Sequence, residues 1–488
     1  MPPSFPGDIT TGVQARRRSI RSRWLRTGLL VLVLSGCTSH MAYRRLSGYH
    51  REPELGVDVS IIELDDHGEF WSRHQLASAL GKIGQRQGGR EGPGAIVVTF
   101  VHGWKNNASH NNEDDENGNL HKFIAILREI KQQELRAAPG ETLRPVVGIY
   151  VAWRGESIHP LPPVNEFSFY SRYTAAQRVA ASPGTTEALL AILGTARSNP
   201  RSSSILVGHS FGGLIVERAL SQTFVSLATH AVFSHPAPDG SFYIDRLDFP
   251  ADLIVLVNPA SPALYARSLL SSLQYWKTQA KEPVDRRYAC DGSPTWRPLI
   301  VSVTSAGDSA TGFWFPVGTT LGYSLGRYRT YDGRGPDDAP ADNAKRGQRY
   351  YYTHTEGHVD QLFSHQLDHR RPPGQAPAGS GTPAAGGIRP CYADPCLHPN
   401  TLCYQSDESR FELSRRLDTN NRGTPYWIMP VPTSVIADHT QIFVQPFVDL
   451  LKGLLEVTQV IPSTYQAGRA TGEARRVREL LAVHRADE

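Results

Sequence analysis

Seven short apolar runs recur along this chain, and most are followed by a segment of helical spacing. The clearest is "AIVVTFV" (95–101), continuous and β-branched, as a strand buried on both faces should be. Strands are expected at 57–66, 95–101, 145–153, 203–208, 252–258, 297–305 and 425–436. Helical spacing marks 119–136, 174–198 with a break near Pro183, 210–224, 262–281 and 442–457. Strands alternating with helices predict an α/β fold, with a mostly parallel central sheet covered by helices on both faces. In such sheets function gathers at the carboxyl ends of the strands.

Not all 488 residues fit this alternation. Residues 1–36 hold a basic run, "RRRSIRSRWLR", then "LLVLVL", an apolar stretch too short to span a bilayer as a mature helix. They read as an export signal. Leu34-Ser35-Gly36-Cys37 resembles the lipobox of bacterial lipoproteins. That resemblance implies cleavage before Cys37 and a lipid anchor on it. It places the protein in a bacterial cell envelope, at the outer membrane, with 37–55 as a tether. The core is expected over 56–310 and 421–457. Between its parts, 311–420 reads as an insertion or lid containing the Pro/Gly/Ala-rich stretch 371–390, and 458–488 as a charged tail.

Charge excludes little except nucleic acid. The chain has 51 basic and 47 acidic residues. Six arginines and one aspartate lie in the first 36, which leaves 45 basic against 46 acidic residues and no basic surface. Apart from Cys37 there are four cysteines, Cys290, Cys391, Cys396 and Cys403. In an oxidising compartment an even count suggests two disulfides, with three connectivities open. The spacing of the last three, with His398 among them, does not match a zinc site. His365 and His369 are four apart, which on a helix would share a face. No Glu lies between them in the zinc-protease manner, so the expectation is a polar helix face and no metal. The acidic "NNASHNNEDDENGN" lacks the Gly and terminal Glu of a calcium loop and reads as solvated.

G-x-S-x-G occurs twice, at Gly208–Gly212 and Gly322–Gly326. The pattern is too short to decide between them, but the flanks are not. Ser210 follows the 203–208 run at once and opens a helix with Leu214, Ile215, Ala219 and Leu220 on its apolar side. That is the strand, sharp turn and helix of a nucleophile elbow, in which Gly208 and Gly212 leave room for the turn. Ser324 has no strand before it or helix after it.

A serine needs a base and a group that orients the base. Asp308 lies in the loop after the 297–305 strand, and His439 after the last strand and before the last helix. Asp252 begins its strand, at the wrong edge. Asp438 adjoins His439 but is badly placed to orient its ring. His354 and His358 have no clear strand before them. "HGW" follows the 95–101 strand, so the backbone N–H groups of Trp104 and Phe211 are candidate oxyanion donors, with His102 and Gly103 supporting that loop.

Taken together, the strands, "HGW", "GHSFGG", Asp308 and His439 resemble the α/β-hydrolase superfamily over roughly residues 57–310 and 421–457. The resemblance implies a cofactor-free serine hydrolase acting through an acyl-enzyme, with a small-molecule or lipid ester as substrate. The same triad would serve a peptidase or amidase, and the fold without its chemistry would serve a non-catalytic envelope lipoprotein. Oligomeric state is not legible.

Overall fold

The computed structural model describes residues 41–44, 49–52, 56–116, 118–137, 143–156, 168–234, 249–279, 298–322, 327–328, 347–370, 389–391, 401–406, 409–416, 418–419, 421 and 424–457. Cys37, Cys290, Cys396, Ser324, the 371–388 stretch and the tail after 457 lie outside these residues.

The protein is α/β. Its main sheet is built from β1 (Tyr49–Glu52), β2 (Val57–Glu63), β3 (Ile96–Val101), β4 (Val146–Ala152), β5 (Ser203–His209), β6 (Leu253–Val257), β7 (Ile300–Ser305) and β12 (Tyr426–Val431). These eight strands lie in the order β1-β2-β4-β3-β5-β6-β7-β12. All pair in parallel except β1, which lies antiparallel on β2 at the edge. The runs β3, β4 and β5 are buried at every position, as their continuous apolar or small character requires.

Helices cover both faces. One face packs under Arg73–Gln87, Phe169–Ala181, Pro183–Arg197, Phe211–Ser234 and Ala263–Gln279. The other carries Asn119–Ala137 and Gln445–Val457. The expected helix over 174–198 is two helices. Pro183 stands at the first position of the second, where its missing N–H costs nothing, and Ser182 caps it by accepting from Gly184 N–H. The elbow helix runs to Ser234, ten residues beyond its expected end. The last strand stops at Val431, because the chain turns at Pro432.

The stretch between β7 and β12 carries a second, antiparallel sheet. Its strands are β8 (His365–Arg370), β9 (Arg389–Pro390), β10 (Thr401–Gln405) and β11 (Arg410–Arg415), in the order β8-β11-β10-β9. Its Leu367, Phe411 and Leu413 join the core cluster of the Gln445–Val457 helix. Cys391 and Cys403 are disulfide-bonded across β9 and β10. This sheet corrects one expectation. His365 and His369 lie on a strand, where four residues span about 13 Å, too far to share a metal ion. His365 packs on Trp427 instead, with the rings tilted by 40°, and His369 stacks on Phe411. No helix among the described residues is long and apolar enough to cross a membrane.

Candidate active site

At the carboxyl edge, β5 ends at His209 and the next residue reverses the chain. Ser210 has φ +56°, a left-handed conformation that costs a residue with a Cβ about 1–2 kcal/mol. Its surroundings hold it there. Ser210 N–H donates to Val257 O (3.1 Å), and its own carbonyl accepts from Gly213 and Ala260 (both 3.0 Å). The turn is too tight for side chains beside it. A Cβ on Gly208 would lie 2.7 Å from Gly212 O, and one on Gly212 would lie 2.0 Å from Val101 O. The helix then starts at Phe211, so the serine hydroxyl sits at a helix amino end.

Asp308 and His439 come to this serine from the ends of β7 and β12. His439 Nδ1–H donates to Asp308 Oδ2 (2.8 Å), and Ser210 O–H donates to His439 Nε2 (2.8 Å). Asp308 is buried. Burial by itself would raise its pKa. The hydrogen bond and charge of His439, with two bonds from Thr311, outweigh burial and hold the carboxyl below its ordinary value. Asp308 therefore stays ionised and fixes the tautomer in which Nε2 is the free base.

The loop after β3 lies over Ser210. A Cβ on Gly103 would come within 2.6 Å of Ser210 Cβ, so only glycine permits this approach. The N–H groups of Trp104 and Phe211 donate to no described residue. His102 is wholly buried and does not face the serine. Its Nδ1–H donates to Gly103 O (2.9 Å) and its Nε2 accepts from Trp153 N–H (3.2 Å). Desolvation lowers its pKa to about 4, so it remains a neutral brace for the loop. Lys105, at φ +64°, completes the turn by donating its N–H to Gly155 O (3.1 Å).

Three site residues were not found by reading the sequence. His209, next to the serine, donates from Nε2 to the backbone carbonyl of His439 (2.9 Å). Burial, with His439 nearby, lowers its pKa to about 3, so it keeps this donor role while neutral. Asn258, just after β6 and at φ +46°, donates to the carbonyls of Asp438 (3.1 Å) and His439 (3.2 Å). Its Oδ1 accepts from Ser305 N–H (2.8 Å), which ties the histidine loop to β7. In the sequence Asn258 is marked only by its place after a buried strand, and the fold shows what it grips. The third is His358, set aside as lacking a strand before it. Its Nε2 lies 3.0 Å from Thr311 Oγ1, which donates to Asp308 Oδ2 (2.6 Å). The hydroxyl has one hydrogen, so His358 Nε2–H is the donor to Thr311.

The other residues set aside stand apart from the histidine ring. Asp438 caps its own loop through Thr440 and Gln441 N–H and does not touch the ring. Asp252 binds Ser204 N–H at the amino edge of the sheet. His354 stacks on Tyr350 at 4.0 Å.

A buried glutamate pair, Glu217 and Glu356, fixes the segment that carries His358. Tyr426 Oη lies 2.8 Å from Glu217 Oε1 and 3.1 Å from Glu356 Oε1. Ser261 bonds Glu217 and Ser302 bonds Glu356. One phenol hydrogen cannot serve two carboxylates, so one glutamate must itself be protonated. Burial raises Glu217 to about 7, and burial next to Glu217 raises Glu356 further. The folded chain thus keeps protons that the unfolded chain releases above about pH 4.5, so stability falls as pH rises from there through about 7. Glu356→Gln removes one ionisation while keeping the shape. Its expected result is a flatter pH–stability curve and a gain of about 1–3 kcal/mol at pH 8, read by urea unfolding at pH 5 and pH 8. A loss of stability at pH 8 would contradict the shared-proton account.

No protein-family model matches this chain, and no curated protein matches it. Among solved structures, an uncharacterized protein from Pseudomonas aeruginosa aligns with 48% of this chain at 11% identity, with a TM-score of 0.20. The chain spans 38% of that protein's length. A likeness this slight bears on neither fold nor function.

Proposed function

We propose that the protein is a serine hydrolase of the α/β-hydrolase type, cleaving a carboxylic ester through an acyl-enzyme. The single observation that carries this reading is the unbroken line Ser210–His439–Asp308, with 2.8 Å at both steps. The N–H groups of Trp104 and Phe211 beside it donate to no described residue.

On this reading His439 Nε2 takes the Ser210 proton as the oxygen attacks the ester carbonyl. The carbonyl oxygen becomes an oxyanion and accepts from the N–H groups of Trp104 and Phe211. Ionised Asp308 stabilises the imidazolium, which returns the proton to the leaving alcohol. Water then repeats the steps on the acyl-serine and frees the acid. His209 and Asn258 keep the histidine loop in place through both halves. The residues from 311 onward act here as backing for the acid through Thr311 and His358, rather than as a lid alone. Lipid on Cys37 would hold the enzyme at the envelope.

The test is covalent labelling. A fluorophosphonate probe should react with the folded protein, and mass spectrometry of the digest should place it on the peptide containing Ser210. No labelling, or labelling elsewhere, contradicts the proposal. A panel of ester, thioester and amide substrates then separates esterase from amidase chemistry.

A further inference from the structure

Seven large hydrophobic side chains are exposed among the described residues, and six of them lie on one edge of the protein. Trp71 stands in the turn after β2, its N–H bonded to Glu63 O. Tyr170 opens the Phe169–Ala181 helix, where its neighbour Phe169 packs on Trp104 and Phe211. Phe313, Trp314 and Val317 follow Asp308 and flank Phe315, which is buried against Tyr173. Tyr170 Oη–H donates to Gly318 O (2.6 Å), which joins the last two groups into one patch. Phe313 and Trp314 are 58% and 62% exposed, and their rings meet edge to face at 5.1 Å. The sixth is Met41, which lines a depression with Trp71, Ala152 and Trp153. Only Leu135 lies elsewhere, near the end of the Asn119–Ala137 helix at the amino edge.

Tyr43 and Arg44 are fastened to this same edge. Tyr43 and Arg44 N–H donate to the Glu63 carboxylate at the end of β2 (2.7 and 2.8 Å). Arg44 Nε donates to Ala108 O (2.8 Å), and its guanidinium pairs with Glu113 (2.6 Å). Cys37, the lipid site expected from the sequence, is four residues before Met41. We infer that the carboxyl edge of the sheet is a membrane-docking face. Phe313, Trp314, Val317 and Tyr170 seat in the lipid interface, and the serine faces the bilayer that holds the anchor.

Apolar contact drives the docking, because aromatic side chains with a polar tip favour the boundary between headgroups and acyl chains. Charge does not. The loop after β3 carries exposed Asp114, Asp115 and Glu116 against one exposed lysine, Lys105, an acidic excess that an anionic surface would repel. An uncharged bilayer is therefore the matching occupant. For the proposed esterase this makes the substrate class an ester presented at a lipid surface, and that part rests on the hydrolase reading.

The experiment uses the full chain reconstituted into phosphatidylcholine vesicles with plain or brominated acyl chains. The fluorescence that Trp314→Phe removes should fall about twofold in brominated vesicles, since bromine quenches an indole seated in the interface. Equal emission in both vesicles overturns the docking face, whatever the chemistry. A second arm compares Phe313→Ser/Trp314→Ser with the parent on a vesicle-embedded ester and a water-soluble short ester. The ratio of the two rates should drop about tenfold, and an unchanged ratio overturns the lipid-surface substrate. If the parent turns over neither ester, the hydrolase reading fails, while the quenching result still decides the docking face.

Discussion

Ser210→Ala should lower kcat on the best ester at least about 10⁴-fold, with KM little changed and the unfolding transition as cooperative as in the parent. His439 Nε2 has the Ser210 hydroxyl 2.8 Å away, and no other described hydroxyl hydrogen-bonds to it. Removing the hydroxyl leaves the base with nothing to activate except water. The oxyanion donors and the bound substrate persist, so a small residual rate over water is expected. The change deletes one atom from a buried side chain and keeps the elbow backbone, which is secured through Val257, Gly213 and Ala260. A parent and variant of equal rate would end the catalytic reading of this serine.

Asp308→Asn should cost about 10⁴-fold in kcat, a magnitude set by the same exchange in a well-studied serine protease triad. Here the reason can be followed atom by atom. Asp308 Oδ2 accepts from His439 Nδ1–H and from Thr311 Oγ1–H, and Oδ1 accepts from Thr311 N–H (3.0 Å). In the variant, Thr311 N–H keeps the amide oxygen at the Oδ1 position, so the new amide nitrogen falls where Oδ2 was. It would then donate to His439 Nδ1, which moves the ring proton to Nε2 and blocks the base. The network also predicts how the loss appears. The pKa of Asp308 lies below its ordinary value, so on acidification the parent's carboxylate should protonate at a lower pH than a free aspartate's. Fluorophosphonate labelling, which needs the same proton transfer, should slow in parallel with turnover. Unchanged labelling would place the acid elsewhere.

The elements legible in the sequence were those whose signal is local. "AIVVTFV" is a strand because every side chain is buried, and it can be read one residue at a time. Ser210 was separable from Ser324 because a strand and a helix flank it within fifteen residues. The misses are non-local. His365 and His369 have helical spacing, yet β8 pairs with β11, some 45 residues later, and nothing in "HQLDH" announces that partner. His358 reaches Asp308 only through Thr311, across 47 residues of chain. Glu217 reads as a polar position on the elbow helix, but its partners are Ser261, 44 residues later, and Tyr426 on β12, which also bonds Glu356. The clamp from His209 and Asn258 acts on a backbone carbonyl, an acceptor that every residue carries.

The position of β12 sets an order in time. Among the described strands it pairs within the main sheet with β7 alone, and it stands at the outer edge. A chain made from its amino end presents Ser210 and the oxyanion loop more than 200 residues before His439. Until β12 closes the edge, His209 and Asn258 have no carbonyl to hold and the serine has no base. On the proposed reading, each nascent or clipped chain that stops short of this strand carries an inert nucleophile. On the same reading, activity becomes a property of a chain completed past β12, and this edge strand serves as a safety catch on Ser210.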